Sequence, residues 1–476
     1  MNEQKPSLLE PESTGGDIAG GGFDFQRNLI LNKIPYWFSF DGFTSLIWES
    51  IGDIEAKFFV PGKGMIIEAI EAKNHNMTPA KFWGEIERFQ TMDKGSPGTY
   101  RWFTLSCTGV SDSIKPLING LRRLRDPYSF FDEHSGVLQN SYEAYKQIVL
   151  GLEKDEETAE FLFQKVMIED TWGSLNAQSE GMFFGSLSEN LPDFDELPRK
   201  KISNVYSYLT ELLVSRKNKP VSRKEIEETI IRAIEDDEIF SKPTILETKI
   251  NNDEVSGKQL LFMWEPFFGG KERSFPSSEE WTSQLLTELE QTKQWIIDNR
   301  TNRKIRLQGS RRNSSAMAIG QTFSAVSGFN IEMEYRGDFW STNQYPTSTI
   351  PDYPIQTNFR VGKGKKLAVI IAIMKEDMTD EVRMFLSRIG EEENSVLEVV
   401  SSFPIVSAEQ VNVVVNAIKG KIKKVCAQID VDEIDLFYAG PSHLALFLGH
   451  CWNAMPRTQC YEWVKTGEYV KTVCLS

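Results

Sequence analysis

A chain of 476 residues with 40% hydrophobic and 25% charged content is long enough for several folded domains and too apolar to be a disordered chain. Its formal net charge of −15 weighs against DNA binding by a single copy, because phosphate contacts demand lysine and arginine. Five cysteines without Cys-x-x-Cys or Cys/His spacing give no zinc site or disulfide scaffold, and the absence of a signal peptide or long apolar stretch reads as a cytoplasmic protein with no membrane association.

Residues 1–20, rich in Glu, Pro, Ser and Gly, read as a disordered tail. The first chemical signal is Asp53, which follows Gly52 and precedes the strand-like run Ala56-Lys-Phe-Phe-Val60. Pro61-Gly-Lys-Gly64 turns into a second strand, Met65 to Lys73, so that Asp53 and Glu71 can lie on neighbouring strands. Side chains alternate along a strand, which puts Glu71 and Lys73 on one face and Ile70 and Ala72 on the other. Thr78 then caps a helix with Pro79 in its first turn, running through about Phe89. Two carboxylates and a lysine at one point suit metal-assisted phosphodiester hydrolysis. Asp53 and Glu71 would supply hard oxygen ligands for Mg²⁺, and Lys73 would orient water or stabilise charge on the phosphate.

Residues 151–250 carry 13 basic and 21 acidic side chains, a net of −8, and read as a helical connector packed with the preceding domain. That share of the acidity leaves Lys81 and the Arg122-Arg123-x-Arg125 cluster as candidate phosphate contacts, and several copies acting together would raise DNA affinity through effective concentration. No histidine lies in a nucleophile context. His75 is the only one near Lys73 and reads as a neighbour rather than a base.

The C-terminal half holds an internal duplication. Ala316-x-x-Ile-Gly320-x-x-Phe323 recurs 129 positions later as Ala445-x-x-Leu-Gly449-x-x-Trp452, and the strands entering both copies keep that offset. Each copy reads as strand, glycine turn, helix: Lys304–Gln308 through Gly309-Ser310, and Ile434–Tyr438 through Gly440-Pro441-Ser442. Gln259–Trp264 adds a short strand, and Ser277 to Glu280 is a capping box for a helix through about Ile297. Leu367 to Ile373 is an unbroken apolar run of the kind buried on both faces of a parallel sheet. Two Rossmann-like lobes follow, with ligands expected at the carboxyl ends of the strands. The candidate contacts are Gly309, Ser310, Arg311 and Arg312 in the first turn, and Gly440, Pro441, Ser442 and His443 in the second. The arginines would neutralise phosphates and Trp340 would stack on a base, whereas Gly320 and Gly449 read as close packing of helices on the sheet.

These residues carry two resemblances. Asp53 with Glu71-Ala72-Lys73, preceded by Gly22-Phe-Asp-Phe-Gln26, resembles the restriction-endonuclease-like superfamily with its D…(D/E)xK site, and more narrowly the double-stranded-DNA endonuclease domain of bacterial antiphage effectors. That resemblance implies that Gln26 lies by the metal site and helps place water or phosphate. Gln308 through Gly320, Phe339-Trp340, and Phe437 through Gly449 resemble the SAVED domain, a fusion of two CARF-like lobes that senses cyclic oligonucleotides. The second resemblance adds Gln308 and Phe339 to the ligand contacts and implies a cyclic trinucleotide of purines.

The chain thus reads as an α/β protein with a restriction-endonuclease-like α/β/α domain over 21–150, the helical connector over 151–250, and a C-terminal pair of fused Rossmann-like (CARF-like) lobes over 251–476, about 251–345 and 360–476. The resemblances imply an antiphage (CBASS) effector: a cyclic oligonucleotide binds the sensor, promotes self-association and activates Mg²⁺-dependent cleavage of double-stranded DNA. A ligand-gated ribonuclease and a non-catalytic nucleotide sensor or adaptor are the competing readings.

Overall fold

The computed structural model describes residues 11–50, 52–125, 136–251, 257–335, 337–348, 351–375 and 377–475, with backbone alone for 11–20. Two units divide the chain, Met1–Phe240 and Ser241–Ser476.

In the first unit, α1 (Pro11–Phe38) precedes the strands β1 (Phe43–Trp48), β2 (Ile54–Val60) and β3 (Gly64–Met77). Then come α2 (Pro79–Gly95), β4 (Tyr100–Val110), α3 (Lys115–Arg125), α4 (Gly136–Gly151), α5 (Glu156–Lys165) and β5 (Val166–Glu169). The unit closes with α6 (Leu175–Asn190), α7 (Arg199–Ser215), β6 (Pro220–Ser222) and α8 (Arg223–Ile234). Its sheet has the order β5-β4-β3-β2-β1-β6; β1, β2 and β3 form an antiparallel meander and β3, β4 and β5 run parallel. Helices cover both faces. The apolar residues of α1, α6, α7 and α8 make one core with Ile54, Ile70 and Ala72, and those of α2 to α5 make a second with Ala69 and Phe103.

Two sequence expectations change here. The tail expected over 1–20 is helical from Pro11, and residues 1–10 lie outside the described residues. The segment 151–250 is not a separate connector, because β5 and β6 are the two edge strands of the first sheet. Its last strand, β7 (Thr244–Lys249), belongs instead to the second unit. Strands of three or four residues flanked by helices carry almost no period-2 signal, which is why the sequence reads as helical there.

The second unit contains two sheets. The first lobe is built from β7, β8 (Leu260–Met263), α9 (Glu265–Phe268), α10 (Ser278–Glu280), α11 (Thr287–Asn299), β9 (Lys304–Gly309), α12 (Asn313–Thr322), β10 (Asn330–Tyr335) and β11 (Asp338–Ser341). The capping box of Ser277 and Glu280 is present, and a π-helical stretch, Trp281–Leu286, joins α10 to α11. The second lobe adds β12 (Gln356–Arg360), β13 (Lys366–Ile373), α13 (Met378–Arg388), β14 (Ser395–Ser401), α14 (Ala408–Ile429), β15 (Glu433–Ala439), α15 (Ser442–His450), β16 (Arg457–Lys465) and β17 (Glu468–Leu475). Sheet orders are β11-β10-β9-β7-β8 and β12-β14-β13-β15-β16-β17, parallel except at the edge strands β11, β12 and β17. β13 is the apolar run the sequence singled out, and Leu367 through Ile373 are all buried.

The duplicated helices α12 and α15 pack against each other through Gly320 and Gly449, glycines that the sequence reading set against the sheet. A Cβ on Gly320 would stand 2.1 Å from the Leu446 carbonyl oxygen, and one on Gly449 would stand 2.2 Å from that of Met317. Only glycine permits this reciprocal contact of backbones. Gly320→Ala or Gly449→Ala is expected to destabilise the second unit by about 3 kcal/mol in chemical denaturation. Gly420→Ala, on an exposed stretch of α14 with nothing within 4 Å of the added carbon, is expected to stabilise it by about 0.5–1 kcal/mol.

Candidate functional site

The register of the β2–β3 hairpin builds the first site. Ile54 pairs with Ile70, so Asp53, just before β2, comes next to Glu71, and strand alternation turns Glu71 away from the α1 core that receives Ile70 and Ala72. The Asp53 carboxylate accepts from the Ala72 backbone N–H at 2.8 Å and from Gln26 Nε2 at 2.9 Å. Trp48 Nε1 donates to Gln26 Oε1 at 2.9 Å, which fixes the amide with its NH₂ toward Asp53. Lys73 Nζ meets Glu71 Oε1 at 2.5 Å, as expected for residues two apart on one strand face. All four sequence candidates therefore converge. An open cavity of about 440 Å³ lies over Asp53 and Glu71, lined also by Gly52, Arg88, Glu49, Ser50 and Asn218, while Gln26 and Lys73 stand behind the two carboxylates outside its lining.

Two further residues complete the cluster. The cap at Thr78, with Pro79 behind it, starts α2 in a phase that turns Glu85 and Arg88 toward β3. Glu85 takes Lys73 Nζ at 3.0 Å and Arg88 Nε at 2.9 Å, and Arg88 Nη2 contacts Glu71 Oε2. A Glu-x-x-Arg pair on the helix after the lysine was the available signal, since residues three apart share a helix face.

Burial and the Glu71 charge raise the Asp53 carboxyl to about 6, although the Ala72 N–H and Lys73 pull against that rise. Burial also pulls Lys73 down, but the hydrogen bonds and charges of Glu71 and Glu85 outweigh it and leave the ammonium above its ordinary value. Among the described residues no group of three or more acidic, histidine or cysteine side chains forms a metal cage. Two adjacent carboxylates whose repulsion raises a pKa nonetheless fit Mg²⁺, which keeps several waters and takes one or two carboxylates plus substrate phosphate.

Two of the three basic candidates on α3, Arg122 and Arg125, are engaged elsewhere. Arg125 Nη2 and Nε donate to the Phe163 carbonyl at the end of α5, at 2.8 and 3.1 Å, and Arg122 pairs with Asp170. Lys81 Nζ lies 3.4 Å from His75 Nε2.

The second site is a cavity of about 690 Å³ at the carboxyl ends of β9, β10, β13 and β15, where both glycine turns meet. Arg311, Arg312, Gly440, Pro441 and His443 line it; Gln308, Gly309, Ser310, Phe339, Trp340 and Ser442 do not. Gly309, at φ +80°, instead lets β9 run against β7, since a Cβ there would stand 2.1 Å from the Thr248 carbonyl oxygen. Ser310 N donates to that carbonyl at 2.9 Å, Gln308 O accepts from Thr248 Oγ1 at 3.1 Å, and Ser442 begins α15. Trp340 is buried with its ring 4.8 Å from the His443 ring, and Arg306 stacks over Phe339.

Arg312 is pinned by Glu462 and the Ser274 carbonyl. Arg311 donates to the Gly309 carbonyl at 2.7 Å, while its Nη1 has no hydrogen-bond partner among the described residues. Burial draws that guanidinium down to about 10, still charged at neutral pH. Sequence reasoning missed Arg273, Tyr335, Lys375, Tyr438, Tyr461 and Trp463, which reach the cavity from separate loops and strands.

The chain thus joins a twin-lobed unit with a cation-lined cavity at its strand ends to an α/β/α unit that holds paired carboxylates and a lysine. Residues 288–475 match the SAVED family, the SMODS-associated and fused to various effectors sensor domain. The chain is 29% identical over 482 residues to a CD-NTase-associated protein 4 of Acinetobacter sp., and 29% identical over 480 residues to that of Moraxella osloensis, each match covering 99% of both chains. Its fold matches the Acinetobacter baumannii Cap4 SAVED/CARF-domain containing receptor solved with the cyclic trinucleotide 2'3'3'-cAAA, with TM-score 0.83, 25% identity, and 96% of this chain and 98% of that chain covered. The chain therefore carries a SAVED domain and is a homologue of the CD-NTase-associated protein 4 proteins.

With its pKa raised to about 6, folded Asp53 holds a proton over a pH interval in which the unfolded chain has released it. The carboxyl therefore lowers stability progressively as pH rises from about 4 to 6, and the full cost is present above 6. Asp53→Asn is expected to stabilise the chelator-treated protein by about 1–2 kcal/mol at pH 7.5 and to bring no gain at pH 4, read by urea denaturation at both values.

Proposed function

We propose that this protein is an antiphage (CBASS) effector in which a cyclic oligonucleotide, a trinucleotide of purines, binds the inter-lobe cavity and switches on cleavage of double-stranded DNA by the first unit. The observation that carries the nuclease reading is the pair Asp53 and Glu71 on the wall of an open cavity with Lys73 bonded to Glu71. The sensor reading is supported by the cavity at the strand ends, by the Arg311 guanidinium on its wall and by the N-termini of α12 and α15, which favour anions. The Acinetobacter baumannii receptor bound to a cyclic trinucleotide supports the ligand class.

Asp53 and Glu71 would hold Mg²⁺, which when bound supplies Lewis-acid stabilisation of charge on the scissile phosphate. Gln26 and the Ala72 N–H hold the Asp53 carboxylate in place, so its oxygens do not reorganise during the reaction. Lys73, held by Glu71 and Glu85, presents a fixed positive charge beside the attacked phosphate. The ligand acts through its greater affinity for an assembled state, in which several copies grip one duplex and offset the charge of −15.

Plasmid cleavage with Mg²⁺ and a panel of cyclic trinucleotides tests this reading. Cleavage is expected only with both present, Lys73→Ala to reduce it about 100-fold or more, and Arg311→Ala to weaken ligand binding about tenfold. Cleavage independent of every ligand, or wild-type activity of Lys73→Ala, defeats the reading. RNA as a parallel substrate separates the ribonuclease alternative.

A further inference from the structure

We infer that Arg88 is a second phosphate-contacting cation of the nuclease centre, anchored by Glu85 and parked on Glu71 until a divalent ion takes over that carboxylate. The inference rests on the nuclease reading above. Both oxygens of Glu71 are covered by cations, Oε1 by Lys73 and Oε2 by Arg88. Each oxygen keeps a second lone pair, but a divalent ion and a guanidinium sharing Oε2 repel each other, so metal ligation by Glu71 with Lys73 still in place favours departure of Arg88 from Oε2.

The guanidinium has two hydrogen-bonding edges, and they are held differently. Its Nε is bound by Glu85 Oε2 at 2.9 Å, from one turn away on the same helix, while Nη2 reaches across to Glu71 at the cavity wall. Release of Nη2 leaves the Nε anchor intact, so the charge stays beside the carboxylates instead of swinging into solvent. The Arg88 side chain is 36% exposed, against 8% for Glu71, so the arginine is the partner free to move. A planar guanidinium that exchanges a carboxylate for a phosphate keeps the same fork geometry.

Charge supplies the reason for the arrangement. Without Arg88, Asp53, Glu71 and Glu85 would face Lys73 as the only cation within ion-pair reach among the described residues, and the centre would attract metal while repelling DNA. With Arg88 on Glu71, metal must compete for the site. Once metal holds Glu71, the same arginine is free to bind the polyanion.

A purely structural ion pair and this exchange differ in the sign of one measurement. Mn²⁺ titration of the full chain without DNA, read by electron paramagnetic resonance, is expected to show about tenfold tighter binding in Arg88→Ala and Arg88→Gln than in wild type. Plasmid cleavage by the same variants at saturating Mg²⁺, with activating cyclic trinucleotide, is expected to fall about 100-fold, and Arg88→Lys to recover part of it. Thermal unfolding in chelator establishes that each variant is folded, and Arg88→Gln preserves side-chain bulk should Arg88→Ala fail. Unchanged or weaker Mn²⁺ binding in a folded variant, or undiminished cleavage, overturns the role of Arg88 while leaving the nuclease reading intact. Wild type that neither binds Mn²⁺ nor cleaves overturns both.

Discussion

Backbone meets backbone where α12 crosses α15, and the second unit depends on that contact. Gly320 lies against the carbonyl of Leu446, and Gly449 against that of Met317, so each copy of the duplicated motif receives the other. The approach brings the N-termini of both helices, and the glycine turns preceding them, to one place. The cavity between the lobes follows, because its walls are the strand ends that those helices leave. A methyl group at either glycine would part the helices and move both walls together.

The first unit obeys an electrostatic constraint of the opposite kind. Cross-strand pairing drives two carboxylates toward each other, burial raises the Asp53 pKa, and every nearby donor is recruited against the repulsion. Gln26 and the Ala72 N–H bind Asp53, and Lys73 and Arg88 bind Glu71, without neutralising the site altogether. Such a centre destabilises the fold that carries it, which is common where chemistry requires charge to be held ready.

Much of this was legible in the amino-acid order. The hairpin was marked by Gly52 and Pro61-Gly-Lys-Gly64, the helix after it by Thr78-Pro79, and the shared face of Glu71 and Lys73 by strand alternation. The offset of 129 residues predicted two strand–turn–helix copies, and β9–α12 and β15–α15 keep it. Less legible were the partners of single side chains. Arg122 and Arg125 look like phosphate contacts in a basic run, yet one pairs with Asp170 and the other caps carbonyls of α5. Phe339 and Trp340 stand outside the cavity because β11 packs them on Arg306 and His443.

Sequence alone determined the β2–β3 hairpin, the cap of α2 and the two strand–turn–helix copies, since turns, caps and alternation depend on neighbours a few residues away. Tertiary structure decided which faces meet. It turned β5 and β6 into sheet edges, set Glu85 and Arg88 over Glu71, and placed Gly320 on Gly449 instead of on the sheet. Those outcomes follow from how whole helices dock, through contacts spread over many residues, and no local spacing encodes them.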